Sequence, residues 1–293
     1  MNDLDRRLIE AVCKNDIQAA KKIVKIILEQ DKTQKNKQFV NRYLMMLNNS
    51  AANLMELPAD IKNLLIMEDV LVSFNERRYY LSGREQEISN RIFKMNGAAT
   101  KLAEIGVNYV NSTILYGESG TGKTTFGRYL AYKMGVPFAY LNFSRVVDSY
   151  LGSTQKNISK VFDYVKQQRC VFMIDEIDAI GMRRKDSKEV GEMSRIVISL
   201  MQNLDMLTSD IMLLAATNRL DILDEALLRR FTIKHEIKRL TAEERFAMAK
   251  KFLDDVGFAC DDEWLHSLAD KDNTQAGLMN ELIMALVNHY AEV

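Results

Sequence analysis

A glycine-rich run that contains one lysine is the first part of the sequence able to do chemistry. It reads Gly117-Glu118-Ser119-Gly120-Thr121-Gly122-Lys123-Thr124, which satisfies the pattern GxxxxGK[ST], and Thr125 follows it. Glycines let the backbone wrap so that N–H groups face phosphate, the lysine reaches the β- and γ-phosphates, and the next hydroxyl ligates Mg²⁺. The run therefore predicts a phosphate site, with Lys123 on the phosphates and Thr124 on the metal. A chance glycine-rich loop is the alternative.

Two acidic residues follow an apolar run further along the chain. The sequence is Val171-Phe172-Met173-Ile174-Asp175-Glu176, a strand pattern that ends in carboxylates. Ligands of α/β sheets bind at the carboxyl ends of the strands, so Asp175 is expected near Mg²⁺, directly or through water. Glu176 is then placed to orient and polarise an attacking water, which predicts ATP hydrolysis and not binding alone. The alternative is two exposed acids that cap a strand.

Five short apolar runs alternate with helical stretches and predict a parallel α/β sheet. They cover residues 113–116, 138–142, 171–174, 211–216 and 233–237. The phosphate run follows the first of them and the two acids follow the third. The expected fold is therefore a P-loop NTPase sheet that brings both motifs to one edge.

The two ends of the chain show helical spacing instead. Expected helices cover residues 3–30, with a break near Asn15-Asp16, a stripe over residues 39–54, and residues 61–74, 242–253, 263–268 and 278–289. We divide the chain into a helical N-terminal domain (1–80), a large α/β domain (81–235) and a small helical lid (236–293). The N-terminal domain is assigned to substrate or partner recognition.

Composition excludes several classes of protein. Forty Lys plus Arg balance forty Asp plus Glu, which argues against the basic excess of a nucleic-acid-binding protein. Cys13, Cys170 and Cys260 are odd in number and form no CxxC pair, and the three histidines lack metal-ligand spacing. No apolar run reaches the roughly 18 residues of a membrane span. A cytoplasmic protein without nucleic-acid or membrane partners is expected.

Taken together, the motifs resemble the AAA+ ATPases, in particular the AAA subgroup of katanin, spastin and the proteasomal and membrane-protease unfoldases. The resemblance covers about residues 80–290. Besides the phosphate run and residues 174–180, it rests on three further motifs in order along the chain. These are Tyr150-Leu151-Gly152, Ala215-Ala216-Thr217-Asn218-Arg219 and Leu223-Asp224-Glu225-Ala226-Leu227-Leu228-Arg229-Arg230-Phe231. The implied fold is an AAA+ α/β domain with a helical lid, to which this chain adds N-terminal helices.

The resemblance assigns roles to residues outside the phosphate run. Asn218 would help to hold the hydrolytic water, and a turn-forming Asn is the alternative. Arg229 and Arg230 resemble the arginine fingers that reach the ATP of an adjacent subunit; two solvated arginines at a helix end are the alternative. Tyr150-Leu151-Gly152 resembles the aromatic loop that lines a central pore and grips polypeptide. Its alternative is an aromatic residue on a buried helix face.

Three segments depart from the family pattern or carry a weaker assignment. Glu118-Ser119 replaces the usual Pro-Pro of the phosphate run, and Gln275-Ala276-Gly277-Leu278 stands where a Ser-Gly-Ala-Asp is frequent. The basic run Arg183-Arg184-Lys185 fits a second pore element or a solvated charge run. Leu81-Ser82-Gly83-Arg84 borders the adenine or forms an ordinary turn, which is the favoured interpretation.

The expected function is hydrolysis of ATP, with Mg²⁺ as cofactor, at the subunit interfaces of a homo-oligomeric ring. The expected ring is a hexamer, and it unfolds, threads or remodels protein substrates. The N-terminal domain would dock a protease or an adaptor. Two alternatives stay open at this point. One is a nucleic-acid-handling AAA+ loader, and the other is an ATP-dependent regulatory switch that remodels nothing.

Overall fold

The computed structural model describes residues 3–14, 16–31, 33, 36, 40, 57–148, 154–179 and 187–291. The helices in this part of the chain are α1 (Asp3–Cys13), α2 (Ile17–Gln30), α3 (Val70–Ser73), α4 (Gly83–Glu104), α5 (Lys123–Met134), α6 (Phe143–Asp148), α7 (Thr154–Val165), α8 (Ser187–Asp205), α9 (Glu225–Leu228), α10 (Ala242–Val256), α11 (Asp262–Asp270) and α12 (Gln275–Ala291). The strands are β1 (Leu65–Glu68), β2 (Asn111–Tyr116), β3 (Phe138–Asn142), β4 (Cys170–Asp175), β5 (Ile211–Thr217) and β6 (Ile233–Glu236).

The described strands form one sheet in the order β1-β3-β4-β5-β2-β6. Strands β2 to β6 are parallel to their neighbours, and β1 pairs antiparallel with β3 at one edge. Every residue of β5 is buried, as expected for a central strand with helices on both faces. The expected mostly parallel α/β sheet is confirmed. Since β5 lies between β2 and β4, residues that follow these three strands meet at one edge of the sheet.

Helices cover both faces of the sheet and give two separate cores. On one face, Ile158 and Phe162 of α7 and Ile196 and Leu200 of α8 are fully buried. On the other face, α4 and α5 pack on the sheet, and Phe126 at the start of α5 is almost fully buried. A third, smaller core joins α10, α11 and α12, which form the lid.

The expected helix over residues 61–74 is wrong at its centre. Residues Leu65–Glu68 form β1, in which Leu65 and Met67 face the core and Ile66 is partly exposed. The spacing of this short apolar run fits a helix or a strand, and pairing with the free edge of β3 decides for the strand. Only α3, after the capping Asp69, is helical within that range. The segment from β1 to α3 therefore belongs with the sheet, and the domain division at residue 80 stays a prediction.

The other expected elements within the described ranges agree with the structure. Helices α1 and α2 cover residues 3–30 with the expected break, and α10, α11 and α12 cover the three expected C-terminal helices. The expected stripe over residues 39–54 lies outside the described residues, except for Val40. The buried Nε2 of His235 has no hydrogen-bond partner within the described part of the chain.

Gly127 lets α5 approach the sheet closely. A Cβ atom built on Gly127 would lie 2.9 Å from Sδ of Met173, 3.0 Å from Cε2 of Phe138 and 3.3 Å from Cδ1 of Leu214. Since α5 begins at the phosphate run, this contact sets the height of that run above the strands.

We expect Gly127→Ala to lower the free energy of unfolding by about 1–3 kcal/mol, because the added methyl group overpacks the core. Gly97→Ala is the matched control, since a Cβ on this exposed helical glycine meets nothing within 4 Å. The control should raise stability by about 0.5–1 kcal/mol through helix propensity. Urea denaturation measures the free energy of unfolding of both variants. Equal stability of the two variants would contradict the tight contact at Gly127.

Candidate active site

The phosphate run forms a tight loop between β2 and α5, as expected. Gly117 has a φ of 140°, and a Cβ atom there would lie 2.3 Å from the backbone oxygen of Ile237. Gly122 has a φ of 95° and immediately precedes α5, so it turns the chain into the helix. These left-handed conformations favour glycine, and they leave the start of α5 open to an anion.

The side chain of Lys123 folds back over this loop. Its Nζ donates to the backbone oxygens of Gly117 and Glu118 at 2.8 and 2.7 Å, and to Oδ1 of Asn218 at 2.7 Å. Burial lowers the pKa of Lys123, while the nearby charges of Asp175, Asp178 and Glu118 oppose that shift. The three acceptors hold the ammonium group at the mouth of the loop, where a phosphate oxygen can compete for it.

Thr124 and Asp175 lie side by side at the ends of their elements. The Thr124 hydroxyl donates to Oδ2 of Asp175 at 2.8 Å. Mg²⁺ prefers oxygen ligands and uses one or two protein groups together with phosphates and water. Among the described residues no group of three or more His, Cys, Asp and Glu side chains could hold a metal ion. The Thr124–Asp175 pair is thus suited to a cation that is also held by a bound nucleotide.

Glu176 is held in an unusual backbone conformation next to this pair. Its φ of 54° is the sole positive value for a non-glycine residue in the described ranges, and such conformations cluster at functional sites. Its Oε2 accepts from Nδ2 of Asn142 at 3.0 Å. The sequence interpretation missed Asn142, which is the last residue of β3 and lies beside Asp175 in the parallel pairing of β3 and β4.

A small hydrogen-bond network positions Asn218 after β5. The hydroxyl of Thr217 donates to Oδ1 of buried Asp178 at 2.9 Å and accepts from the backbone N–H of Arg219 at 2.9 Å. Asn218 lies between the two bonded residues, so its backbone is fixed on both sides. Asp178 and Thr217 stand inside the quoted motifs, although the sequence alone assigned them no role.

These groups open into a cavity of about 530 Å³ between the sheet, the lid and the segment before α4. Part of its lining consists of hydrophobic and aromatic side chains that the sequence interpretation missed. They include Tyr79, Tyr80, Ile237, Leu240, Met248 and Met279. Such a lining suits a flat aromatic ring next to the phosphate loop. The residues that line the cavity do not include Leu81-Ser82-Gly83-Arg84; Ser82 caps α4 instead, in a capping box with Glu85.

The segment before α4 is fixed by the lid and by α5. Lys251 Nζ donates to the backbone oxygen of Tyr79 at 2.6 Å, and Nε of Arg78 lies 2.6 Å from Oδ2 of Asp255. The ring of Tyr79 stacks on Tyr129 with centroids 4.9 Å apart. Burial raises the pKa of Tyr79 well above its ordinary value, so the phenol stays neutral. The aromatic part of the cavity wall therefore depends on packing between the segment before α4 and helix α5, which are distant in sequence.

The two arginines that resemble fingers differ in their freedom to move. Arg230 binds Asp205 with two parallel hydrogen bonds, of 2.9 and 2.8 Å, and its Nη1 donates to the backbone oxygen of Ala226 at 2.7 Å. Arg229 makes an exposed ion pair of 3.0 Å with Glu225, and its side chain is 72% exposed. Arg230 is thus tied to its own subunit, while Arg229 projects into solvent.

Two expected site segments cannot be placed. Tyr150, Leu151 and Gly152 lie outside the described residues, and so does the basic run at 183–185.

None of the helices in the described ranges has the length and apolar character needed to cross a membrane.

The parallel sheet, the glycine-rich loop after β2 and the acids after β4 define the class of P-loop nucleotide-binding proteins. Residues 113–239 match the family model of the ATPase family associated with various cellular activities (AAA). Residues 113–239 of this chain therefore resemble the ATPase domain of that family.

Curated relatives support the same assignment. An uncharacterised AAA family ATPase of Sinorhizobium fredii is 32% identical over 165 residues, which are 56% of this chain and 50% of that protein. The proteasome-activating nucleotidase of Methanoculleus marisnigri is 37% identical over 154 residues, 50% of this chain and 37% of the relative. The 26S proteasome regulatory subunit 6A of Saccharomyces cerevisiae is 36% identical over 145 residues, 48% of this chain and 33% of the relative. This chain thus matches between a third and a half of the length of these relatives.

We expect Asn142→Ala to lower the kcat of ATP hydrolysis by up to about 100-fold, because a misplaced reacting group costs this much. ATP affinity should change by less than about twofold, since the side-chain amide of Asn142 is bonded to Glu176 and Asn142 is not among the described residues that line the cavity. Steady-state hydrolysis and equilibrium ATP binding measure the two quantities. An unchanged kcat would remove Asn142 as a positioning residue for Glu176.

Proposed function

We propose that this chain forms a homo-oligomeric ring, a hexamer, hydrolyses ATP at the interfaces between its subunits, and uses the energy to remodel protein substrates. One observation carries the proposal. Lys123, Thr124, Asp175, Glu176 and Asn218 converge at the mouth of one cavity, although they come from three separate parts of the chain.

The residues of the cavity fit ATP and Mg²⁺. The phosphate loop leaves no room for a Cβ atom at Gly117, so its backbone can wrap closely around a phosphate. The Lys123 ammonium group already donates a hydrogen bond to an oxygen of this loop. A bound ATP–Mg²⁺ complex supplies the phosphoanhydride and a cation that compensates its charge. Thr124 and Asp175 would hold the metal. Glu176 would take a proton from water and Asn218 would orient that water.

An interface arginine is required because the cavity is short of cations. Of the described residues that line it, Lys123 and Arg78 are the cationic ones, and Arg78 is already paired with Asp255. Phosphoryl transfer needs cations that compensate charge on the γ-phosphoryl oxygens. We assign this task to the exposed Arg229 of the adjacent subunit, and we assign Arg230 to bracing the same loop through Asp205.

Protein remodelling is supported by the relatives and by the pore-loop motif. Two of the matched proteins are a proteasome-activating nucleotidase and a 26S proteasome regulatory subunit. In our proposal Tyr150, Leu151 and Gly152 line the pore and pull a polypeptide, and the helical N-terminal domain (residues 1–80) docks a protease or an adaptor. The absence of charge excess in the composition favours protein over nucleic acid as the substrate. We place the reaction in the cytoplasm.

Glu176→Gln tests the hydrolytic assignment. This variant should bind ATP and assemble as the wild type does, while turnover falls by at least about 100-fold, because the amide cannot accept the proton. Hydrolysis is measured under saturating ATP, and assembly by light scattering. Wild-type turnover in this variant would exclude Glu176 as the general base.

Mixed rings test whether Arg229 acts across subunits. Lys123→Ala and Arg229→Ala proteins should each be nearly inactive, and an equal mixture should recover about a quarter of the interfaces if subunits mix at random. An intact cradle then faces an intact arginine at those interfaces. Absence of recovery, despite mixed assembly shown by differently tagged subunits, would contradict action in trans.

Tyr150→Ala separates a remodelling machine from a regulatory switch. In a threading ATPase this variant should keep at least about half of the ATP turnover, since the proposal gives Tyr150 a role on the polypeptide and none in hydrolysis, but it should lose unfolding of a tagged model substrate. In a switch, the biological output would survive Tyr150→Ala and fail with Lys123→Ala. Salt-sensitive binding to DNA or RNA would instead favour the loader alternative.

A further inference from the structure

Glu118 is an unusual residue for a loop that binds phosphate, and its two parts face different ways. Its backbone oxygen accepts from Lys123 Nζ at 2.7 Å, so the backbone belongs to the cradle. Its carboxylate instead forms an ion pair with Nε of Arg239. Ser119 and Gly120 line the cavity, whereas the described lining includes neither Glu118 nor Arg239. The acidic side chain is thus held on the outer side of the loop.

Arg239 lies in the linker between the sheet and the lid. Two residues earlier, the backbone N–H of Ile237 donates to the oxygen of Tyr116 at 2.8 Å, and two residues later Thr241 caps α10. The second contact of the Arg239 guanidinium is Asp272 in the lid, with Nη1 3.0 Å from Oδ2. A single side chain therefore connects the phosphate loop to the lid.

The phosphate loop and the lid also contact each other directly, and we call this contact region the seam. The backbone N–H of Ala276 donates to the oxygen of Gly120 at 2.9 Å, and Nε2 of Gln275 donates to the oxygen of Lys238 at 3.0 Å. A Cβ atom on Gly120 would lie 3.2 Å from Cβ of Ala276. The loop and the start of α12 are thus packed together, and Arg239 lies beside this packing.

The charge at Glu118 matters because of what the loop binds. A triphosphate is strongly anionic, and a carboxylate a few ångströms away opposes its binding unless a cation compensates. Glu118 is within electrostatic range of the site, since its charge is among those that act on Lys123. Paired with Arg239, the carboxylate adds little net charge. Unpaired, it repels the nucleotide.

We propose that Arg239 is a positioning residue for nucleotide binding: it neutralises Glu118 on the outer side of the phosphate loop and, through Asp272, seats the lid on that loop. The proposal explains why this chain tolerates an acid inside the phosphate run. It requires only nucleotide binding at residues 117–125, so it does not depend on ring assembly or on protein remodelling.

The test is a double-mutant cycle on nucleotide affinity in the full chain. Arg239→Ala should weaken binding of ATP–Mg²⁺ about fivefold at 0.1 M salt, because it leaves the Glu118 charge uncompensated, and the loss should shrink at 0.5 M salt. The variant Glu118→Ala/Arg239→Ala should regain the part of the ATP affinity that the uncompensated charge of Glu118 removes, and keep only the loss that Asp272→Ala shows by itself. Arg239→Lys should lose less ATP affinity than Arg239→Ala, since lysine keeps the positive charge.

Lys160→Ala is the matched control, because its ion pair with Asp60 has a similar length and exposure but lies on α7, outside the seam. It should leave ATP affinity unchanged. Asp272→Ala should weaken ADP and ATP equally, since this contact orients the lid and not the terminal phosphate. Calorimetry of the full chain measures the nucleotide affinity of every variant.

Two outcomes would overturn the proposal. The first is wild-type affinity in Arg239→Ala. The second is a double variant as weak as Arg239→Ala, which would show that Arg239 does not act by compensating Glu118. Failure of the ring proposal would be seen elsewhere, in hydrolysis by the mixed subunits, while these affinities stayed as expected.

Discussion

The structure depends on holding a buried lysine ammonium group at the edge of a parallel sheet. Lys123 satisfies its donors with two carbonyl oxygens of the phosphate loop and one side-chain amide oxygen, from Asn218. A buried charge without such partners would be costly. The loop must therefore double back over the start of α5, and β5 must lie directly beside β2. The glycines, the sheet order and the position of Asn218 all follow from this one requirement.

The same strand order gathers the acidic groups. Because β4 lies between β3 and β5, the carboxylates after β4 have Asn142 on one side and Asn218 on the other. Asp175 is bonded to Thr124, whereas Glu176 is bonded to Asn142. Two adjacent acids thereby receive different partners and can take different tasks. Glu176 also takes a positive φ of 54°, a conformation that is costly for a residue other than glycine.

The sequence predicted those parts of the fold and site that short-range spacing determines. The phosphate loop, the acids after β4, the parallel strands and the lid helices each have a local pattern, and the structure has the loop, strands and helices where they were expected. Partners brought in by strand pairing or by domain packing were missed. Asn142 lies 34 residues before Glu176 in the chain, and Arg239 contacts Glu118 from a linker with no motif of its own. Strand β1 was missed because its short apolar run fits both periodicities, and only a free edge of β3 selects one.

The link between Lys21 and Asp69 gives the N-terminal helices a short route to the nucleotide cavity. Lys21 Nζ lies 3.5 Å from Oδ2 of Asp69, while the other carboxylate oxygen of Asp69 caps α3. One helical turn later, Phe74 is part of the cavity wall. Helix α2 is therefore linked, through one carboxylate and the four residues of α3, to a side chain of the cavity wall.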